Sequence, residues 1–151
     1  MRWSYLTLTS RLVHSESEAS IDLSKAPRLR SVIFRAESWP VGWITAALRT
    51  ITPGNLDIRE ISIDVHGWLV GFDRRTIGEA DFGQWWDLDR VLVQLWESRS
   101  IHPRIWHAGL GGEVHNTESC IQCLLPEATK RGIIDLTNAP TSMDLAEYDI
   151  F

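Results

Sequence analysis

Two cysteines spaced like successive turns of a helix have the clearest capacity for chemistry in this chain. Cys120-x-x-Cys123, with His107 and His115 upstream, makes a four-ligand set of the types that zinc accepts. A single Cys-x-x-Cys pair is more typical of helical thiols that pack beside apolar residues such as Leu124 than of a metal site. We predict that both thiols are reduced and metal-free, with Cys123 the more buried; a metal site and a redox pair remain alternatives.

A glycine-rich segment precedes these cysteines. Gly109-x-Gly111-Gly112 follows a predicted strand and precedes a predicted helix, where a phosphate-binding loop would lie. The dinucleotide-binding pattern needs a further glycine at the position of Val114, and no Gly-Lys-Ser/Thr follows. The glycines are therefore interpreted as a strand-to-helix turn.

Acid pairs are the remaining candidates for catalysis. Asp87 with Asp89, and Glu79 with Asp81, lie near a predicted helix start and are interpreted as surface charges that complement the helix dipole. The chain contains no Gly-x-Ser-x-Gly nucleophile motif. We predict no catalytic, cofactor-binding or metal-binding residue and no enzymatic activity. The alternative is a small α/β metal-binding or enzymatic protein centred on Gly109–Cys123.

Composition limits the partners and the compartment. The 151 residues carry a net charge of −5 with 23% charged and 44% hydrophobic residues, which suits one globular domain and not a nucleic-acid partner. No apolar run approaches the ~20 residues of a membrane span. Two cysteines, no apolar signal segment and no Asn-x-Ser/Thr site favour an intracellular protein, cytoplasmic or nuclear.

An apolar-x-x-apolar-x-apolar unit recurs along the chain and predicts the elements that would position these residues. It occurs as Trp3-x-x-Leu6-x-Leu8, Leu29-x-x-Val32-x-Phe34 and Ile58-x-x-Ile61-x-Ile63. Its last two positions alternate as in a half-buried strand. With two looser segments, it predicts parallel strands at about 4–8, 31–35, 59–64, 104–107 and 133–136. Leu6, Val32, Ile61, Ile105 and Ile134 are taken as equivalent, mostly at leucine-rich-repeat spacing.

Helical patterns separate the strands. One helix is predicted around Trp43–Ile51, a second around Trp85–Trp96, and a third from Thr117 to Arg131 that Pro126 interrupts and Gly132 ends. An aromatic-containing insertion is predicted from His66 to Gly83. The predicted organisation is one domain over residues 1–139 and an acidic, frayed tail over residues 140–151.

Three stretches resemble the degenerate leucine-rich repeats of fungal F-box proteins. They are Ile21–Phe34, Trp86-x-Leu88-Asp89-Arg90-x-Leu92, and Leu124-Leu125-Pro126-Glu127 through Ile133. The resemblance covers most of residues 3–137, and no F-box segment is found. It implies a short leucine-rich-repeat-like solenoid, with helices on one face, that recruits the substrate of an F-box-type ubiquitin ligase adaptor. The chain would be that repeat region or a fragment of one.

The residues between the buried strand positions predict the protein-binding surface. In a solenoid they lie on the open face of the sheet, where leucine-rich arcs bind partners. Glu60 is expected beside Arg104, and Arg35 beside Asp64. The predicted binding residues are Tyr5, Arg35, Glu60, Asp64 and Arg104, with the candidate interface tryptophans Trp68 and Trp106.

The first predicted strand would form an edge of the sheet. Trp3, Leu6 and Leu8 give it apolar neighbours, and an uncovered edge strand invites pairing with another chain. We therefore expect either self-association through residues 3–9 or continuation from an upstream segment.

Overall fold

Five strands form one parallel sheet. The computed structural model describes residues 5–9, 21–36, 41–65, 79–107 and 121–138. The strands lie side by side in chain order as β1 (Tyr5–Thr9), β2 (Ser31–Arg35), β3 (Glu60–Asp64), β4 (Arg104–His107) and β5 (Asp135–Asn138). The predicted α/β class, parallel pairing and strand order are confirmed. Only β5 is displaced, since it begins two residues later than predicted.

Helices connect the strands. They are α1 (Gly42–Arg49), α2 (Glu79–Arg99) and α3 (Pro126–Lys130), with a 3-10 turn at Leu23–Lys25 before β2. Residues 121–124 are also helical, and the chain bends at position 125 before Pro126 opens α3. The interruption at Pro126 is thus confirmed. So is the left-handed ending at Gly132, whose φ is 66°.

Helix α2 is longer than predicted, and this changes the meaning of its acids. It begins at Glu79, so Asp87 and Asp89 lie in its middle and not in its first turns. The predicted insertion from His66 to Gly83 ends inside this helix. Its residues 66–78, and the tail over residues 140–151, lie outside the described residues.

The apolar residues of the sheet and the helices share one core. The apolar strand residues of this core occupy alternate positions on one face of the sheet, and the helices contribute most of its other residues. Phe34 packs edge-on against Trp43 of α1 with ring centroids 5.8 Å apart. The fully buried residues include Phe34, Ile61, Ile63, Ile105, Ile44, Leu48, Trp85, Leu88, Leu92 and Leu124. Within the described residues, the helices therefore pack against the face that carries Phe34.

The strand registers differ from the sequence alignment at β4 and β5. Ile105 pairs with Ile63 and not with Ile61, and Leu136, not Ile134, pairs with Ile105. Each shift is two residues, so every side chain keeps its predicted face while its neighbour changes. When Ile105 is aligned with Ile63, the middle apolar position of the recurring unit falls on Pro103. Pro103 is buried there.

The turns before the strands are joined by a buried asparagine. Asn55 Nδ2 donates to Leu23 O at 2.9 Å and to Ala26 O at 3.2 Å, and its Oδ1 accepts from Thr52 N at 2.9 Å. The guanidinium of Arg99, at the end of α2, donates to Asn55 O at 2.5 Å and to Thr52 O. The turn before β3 therefore stacks on the turn before β2.

Candidate protein-binding face

The sheet face opposite the core carries the predicted binding residues. We call it the outer face, and it comprises Tyr5, Thr7, Ser31, Ile33, Arg35, Glu60, Ser62, Asp64, Arg104 and Asp135. The parallel register places Tyr5, Ser31 and Glu60 in one row across the strands. A second row runs from Thr7 to Asp135. A third contains Arg35 and Asp64.

The centre of the outer face is buried, although the pattern predicts an open surface. Thr7 is 0% exposed, Ser62 2% and Ile33 3%, and Ile33 does not belong to the core cluster on the other face. Alternation in the sequence separates two faces of a sheet but does not say whether the second is covered. Among the outer-face side chains that the structure describes, the exposed ones lie at or beside the ends of the rows. They are Tyr5, Glu60, Arg104 and Asp135.

The two predicted charge pairs have different outcomes. Arg35 and Asp64 are register partners, with Nε and Oδ2 3.9 Å apart, as expected. The side chain of Asp64 is almost fully buried, whereas that of Arg35 is 22% exposed. These two residues therefore contribute mainly to the interior of the outer face and little to its accessible surface.

The expected pairing of Glu60 with Arg104 is wrong. The two-residue shift of β4 places Arg104 opposite Ser62. Arg104 Nε lies 3.7 Å from Asp135 Oδ2 on β5, and both side chains are about half exposed. Glu60 instead accepts a long hydrogen bond, 3.4 Å, from the Ser31 hydroxyl. The accessible charges therefore comprise an ion pair on β4 and β5, at one edge of the sheet, and a separate carboxylate at the start of the central strand β3.

The tryptophans divide between core and surface. Trp85 is fully buried, and Trp43 and Trp96 pack against the core, as the helical stripes predict. Trp106 pairs in register with Asp64, so its backbone lies at an outer-face position; its side chain and all of Trp68 lie outside the described residues. The sequence analysis missed Trp86, which is 47% exposed.

Trp86 belongs to a small aromatic surface on α2. Its ring and that of Phe82, one helical turn earlier, have centroids 5.9 Å apart. Its indole N–H points at Cys123 O, 3.5 Å away. The signal in the sequence was the Trp85-Trp86 pair itself, because adjacent helical residues point about 100° apart around the helix axis and so diverge as Trp85 and Trp86 do.

The predicted burial of Cys123 is wrong. Its thiol is free and exposed, because residues 121–124 turn Ile121 and Leu124 toward the core and leave positions 122 and 123 outside. Cys120, His115 and the glycines at 109–112 lie outside the described residues. In the part of the chain that is described, no three His, Cys, Asp or Glu side chains are grouped to hold a metal ion.

His102 adds a zinc-type spacing, since His102 and His107 are separated by four residues. The structure gives the ring of His102 another partner. Its Nδ1 lies 3.2 Å from Ile133 O, so it links the segment before β4 to the segment before β5. The side chain of His107 lies outside the described residues.

Asp89 is a buried structural acid and not the surface charge that its pattern predicts. Its carboxylate oxygens accept from Glu127 N at 2.9 Å and from Ala128 N at 2.8 Å, at the first turn of α3. Leu125 provides no side-chain cap for that helix. Burial raises the pKa of Asp89 above its ordinary value, against the opposing effect of the two amide hydrogen bonds.

No described helix is long and apolar enough to cross a membrane. No protein-family model, curated protein or solved structure matches this chain.

Proposed function

We propose that this protein is a leucine-rich-repeat-like interaction module that binds a protein partner through the accessible ends of its outer face. The observation that carries the proposal is the sheet, whose five parallel strands follow chain order while the described helices pack on one face. Crossovers between parallel strands are almost always right-handed, so strands added in one direction keep their helices on one side. That geometry is typical of solenoids, which bind partners on the opposite face.

Equivalence of successive units supports the solenoid form. Residues that pair between β2 and β3 are 29 positions apart in the sequence, and so are Asn55 and Ala26, which are joined by a hydrogen bond. This offset is within the range of leucine-rich repeats. Leu29 and Ile58, which open two of the recurring units, are both buried. The unit is thus repeated in packing as well as in sequence.

The exposed residues indicate the chemistry of the partner. Tyr5 offers an aromatic contact at one edge, Glu60 an anionic contact, and Arg104 with Asp135 a mixed pair. A surface of mixed charge with an aromatic anchor suits a folded protein better than a polyanion. The resemblance to F-box proteins favours the substrate of a ubiquitin ligase as that partner.

Partner capture by the full chain and two charge-swap variants tests the proposal. Glu60→Arg with Arg104→Glu reverses two of the three accessible charges of the outer face, leaving Asp135, and keeps the net charge unchanged. Asp87→Arg with Arg90→Glu does the same on the exposed surface of α2, where those residues form an ion pair at 3.5 Å. We expect the amount of partner captured to fall at least about tenfold in the first variant and to stay unchanged in the second.

Equal capture by both variants would contradict outer-face binding. The F-box form of the proposal has its own readout, namely ubiquitin on the captured partner. A partner whose ubiquitination does not depend on this chain would refute that form while leaving the interaction module intact.

A further inference from the structure

A second surface lies at the amino ends of the strands, where the loops before β2 and β3 run side by side. Arg59 N donates to Arg30 O at 2.8 Å, and Glu60 N donates to the same oxygen at 3.1 Å. With the hydrogen bond from Asn55 to Ala26, these contacts hold residues 26–31 against residues 55–60. The two loops therefore form one continuous surface.

This surface places like charges next to each other. Arg30 and Arg59 are immediate neighbours across the two loops, and Arg28 precedes them; all three are exposed. No ion pair joins any of the three to a carboxylate within the described residues, where the salt bridges involve other arginines. Adjacent like charges destabilise a sheet pair, so folding alone does not account for this arrangement.

An exposed leucine accompanies the arginines. Leu56 is 75% exposed, the highest value among the exposed large apolar residues of the described chain. It lies three residues before Arg59, next to Asn55, which is fully buried and hydrogen-bonded to the Leu23–Lys25 turn and the residue after it. Because this anchoring fixes the backbone beside it, Leu56 is presented on a rigid loop.

We propose that Arg28, Arg30, Leu56 and Arg59, here called the amino-end surface, bind an acidic peptide segment of a partner protein in which carboxylates alternate with apolar side chains. Arginine presents a planar fork of donors that matches carboxylates, and Leu56 offers an apolar contact between charged ones. None of these four residues belongs to the outer face, although Arg59 directly precedes Glu60, and the proposal does not depend on the proposed function.

Charge complementarity selects the peptide over a nucleic acid. The whole chain carries a net charge of −5, which repels an extended polyanion beyond the three arginines. Sequence-independent nucleic-acid binding needs many phosphate contacts along a basic groove, usually with aromatic stacking platforms. The amino-end surface is short and its apolar member is aliphatic, so it fits a short acidic segment.

Binding of a labelled peptide in which glutamate and leucine alternate tests the proposal on the full chain. Fluorescence anisotropy is measured with the unmodified protein, with Arg30→Glu/Arg59→Glu, and with Arg90→Glu/Lys130→Glu as a control. The control pair is exposed on α2 and α3 and changes the net charge equally. We expect Kd to rise at least about tenfold in the first double variant and to stay within about twofold in the control.

Further measurements separate the contributions of charge and leucine. Leu56→Ser is expected to weaken binding several-fold, and Leu56→Met to retain it. Binding should also weaken as ionic strength rises from about 0.1 M to about 1 M, where the Debye length falls from about 10 Å to about 3 Å. Arg30→Gln/Arg59→Gln should melt no lower than the unmodified protein, since it removes the repulsion between the two guanidinium groups without introducing another.

Several results would overturn the proposal. They are absence of peptide binding up to about 1 mM, equal weakening in the control double variant, or unchanged binding in Arg30→Glu/Arg59→Glu. A single-stranded oligonucleotide that binds while the peptide does not would also refute it, in favour of a polyanion. The same holds for a glutamine–leucine peptide that binds as tightly as the glutamate–leucine peptide.

Discussion

Replacement of Asp89 by alanine tests how α3 is held against the rest of the domain. Helix α3 has only five residues and begins with Pro126, and Leu125 gives it no side-chain cap. A helix this short does not persist by its own hydrogen bonds. Its first turn depends on the carboxylate of Asp89, which reaches across from α2 to two backbone amides. The substitution leaves both amides without an acceptor.

The expected loss follows from those two hydrogen bonds. A hydrogen bond to a charged group contributes about 1.5–3 kcal/mol, and burying the carboxylate offsets part of that gain. We expect Asp89→Ala to lower the free energy of unfolding by about 2–4 kcal/mol. In a domain of this size the melting temperature would fall by about 5–15 °C.

Urea denaturation measures the free energy, and amide hydrogen exchange at Glu127 and Ala128 shows whether the loss is local. Asp87→Ala is the matched control, because Asp87 lies one half-turn away on α2 and makes only an exposed pair with Arg90. The control should change the free energy of unfolding by at most about 0.5 kcal/mol. A loss of less than about 0.5 kcal/mol in Asp89→Ala, with unchanged exchange, would show that Asp89 does not cap α3.

Comparison with Asp89→Asn adds a pH dependence. Because burial raises the pKa of Asp89, the folded protein holds this proton more tightly than the unfolded chain does. The contribution is therefore complete below the ordinary aspartate pKa of 3.8 and is lost as pH rises through the raised folded pKa. The free energy of unfolding, relative to Asp89→Asn, should fall over that window and then level off. A rise instead would mean that the amide hydrogen bonds outweigh burial.

Three further substitutions test the stacking, the backbone and the core. Asn55→Ala removes the hydrogen bonds to Leu23, Ala26 and Thr52 and should cost about 2–4 kcal/mol in urea denaturation; Asn55→Asp should recover only the acceptor bonds. Gly132→Ala should lower the free energy of unfolding by about 1–2 kcal/mol, because the backbone φ there is 66°. Gly83→Ala should raise it by about 0.5–1 kcal/mol, because a Cβ at that position of α2 meets no atom within 4 Å. Equal changes in melting temperature for the two variants would refute this. Phe34→Ala should cost about 3–5 kcal/mol, against at most about 0.5 kcal/mol for exposed Leu56→Ala, and a smaller loss at Phe34 would contradict its central place in the core.

The fold could be predicted largely because its strands carry a local signal. Alternation of apolar and polar residues, as in Ile61-Ser62-Ile63, predicts a strand without reference to distant parts of the chain. Proline and glycine act equally locally, so the break before Pro126 and the left-handed Gly132 were both predicted. Register is different, because β4 could shift by two residues without exposing any apolar side chain.

The site was less predictable because exposure depends on tertiary contacts. Asp89 and Asp64 have the sequence context of surface acids, yet both are buried. Cys123 has the context of a core thiol, yet it is exposed, because the phase of residues 121–124 turns Leu124 inward. The amino-end surface carried no recognised motif, since the pairing of Arg30 with Arg59 depends on the alignment of two loops.

The three described helices end in a common sequence pattern. An Arg-x-Ile triplet closes each one, as Arg49-Thr50-Ile51, Arg99-Ser100-Ile101 and Arg131-Gly132-Ile133. Two of these arginines contact residues that precede them in the chain. Arg99 binds the turn before β3, and Arg131 forms an ion pair at 2.5 Å with Glu97 on α2. At α2 and α3 the helix end is thus tied to an element that precedes it in the chain. Such contacts between neighbouring elements stabilise a sheet whose strands lie in chain order.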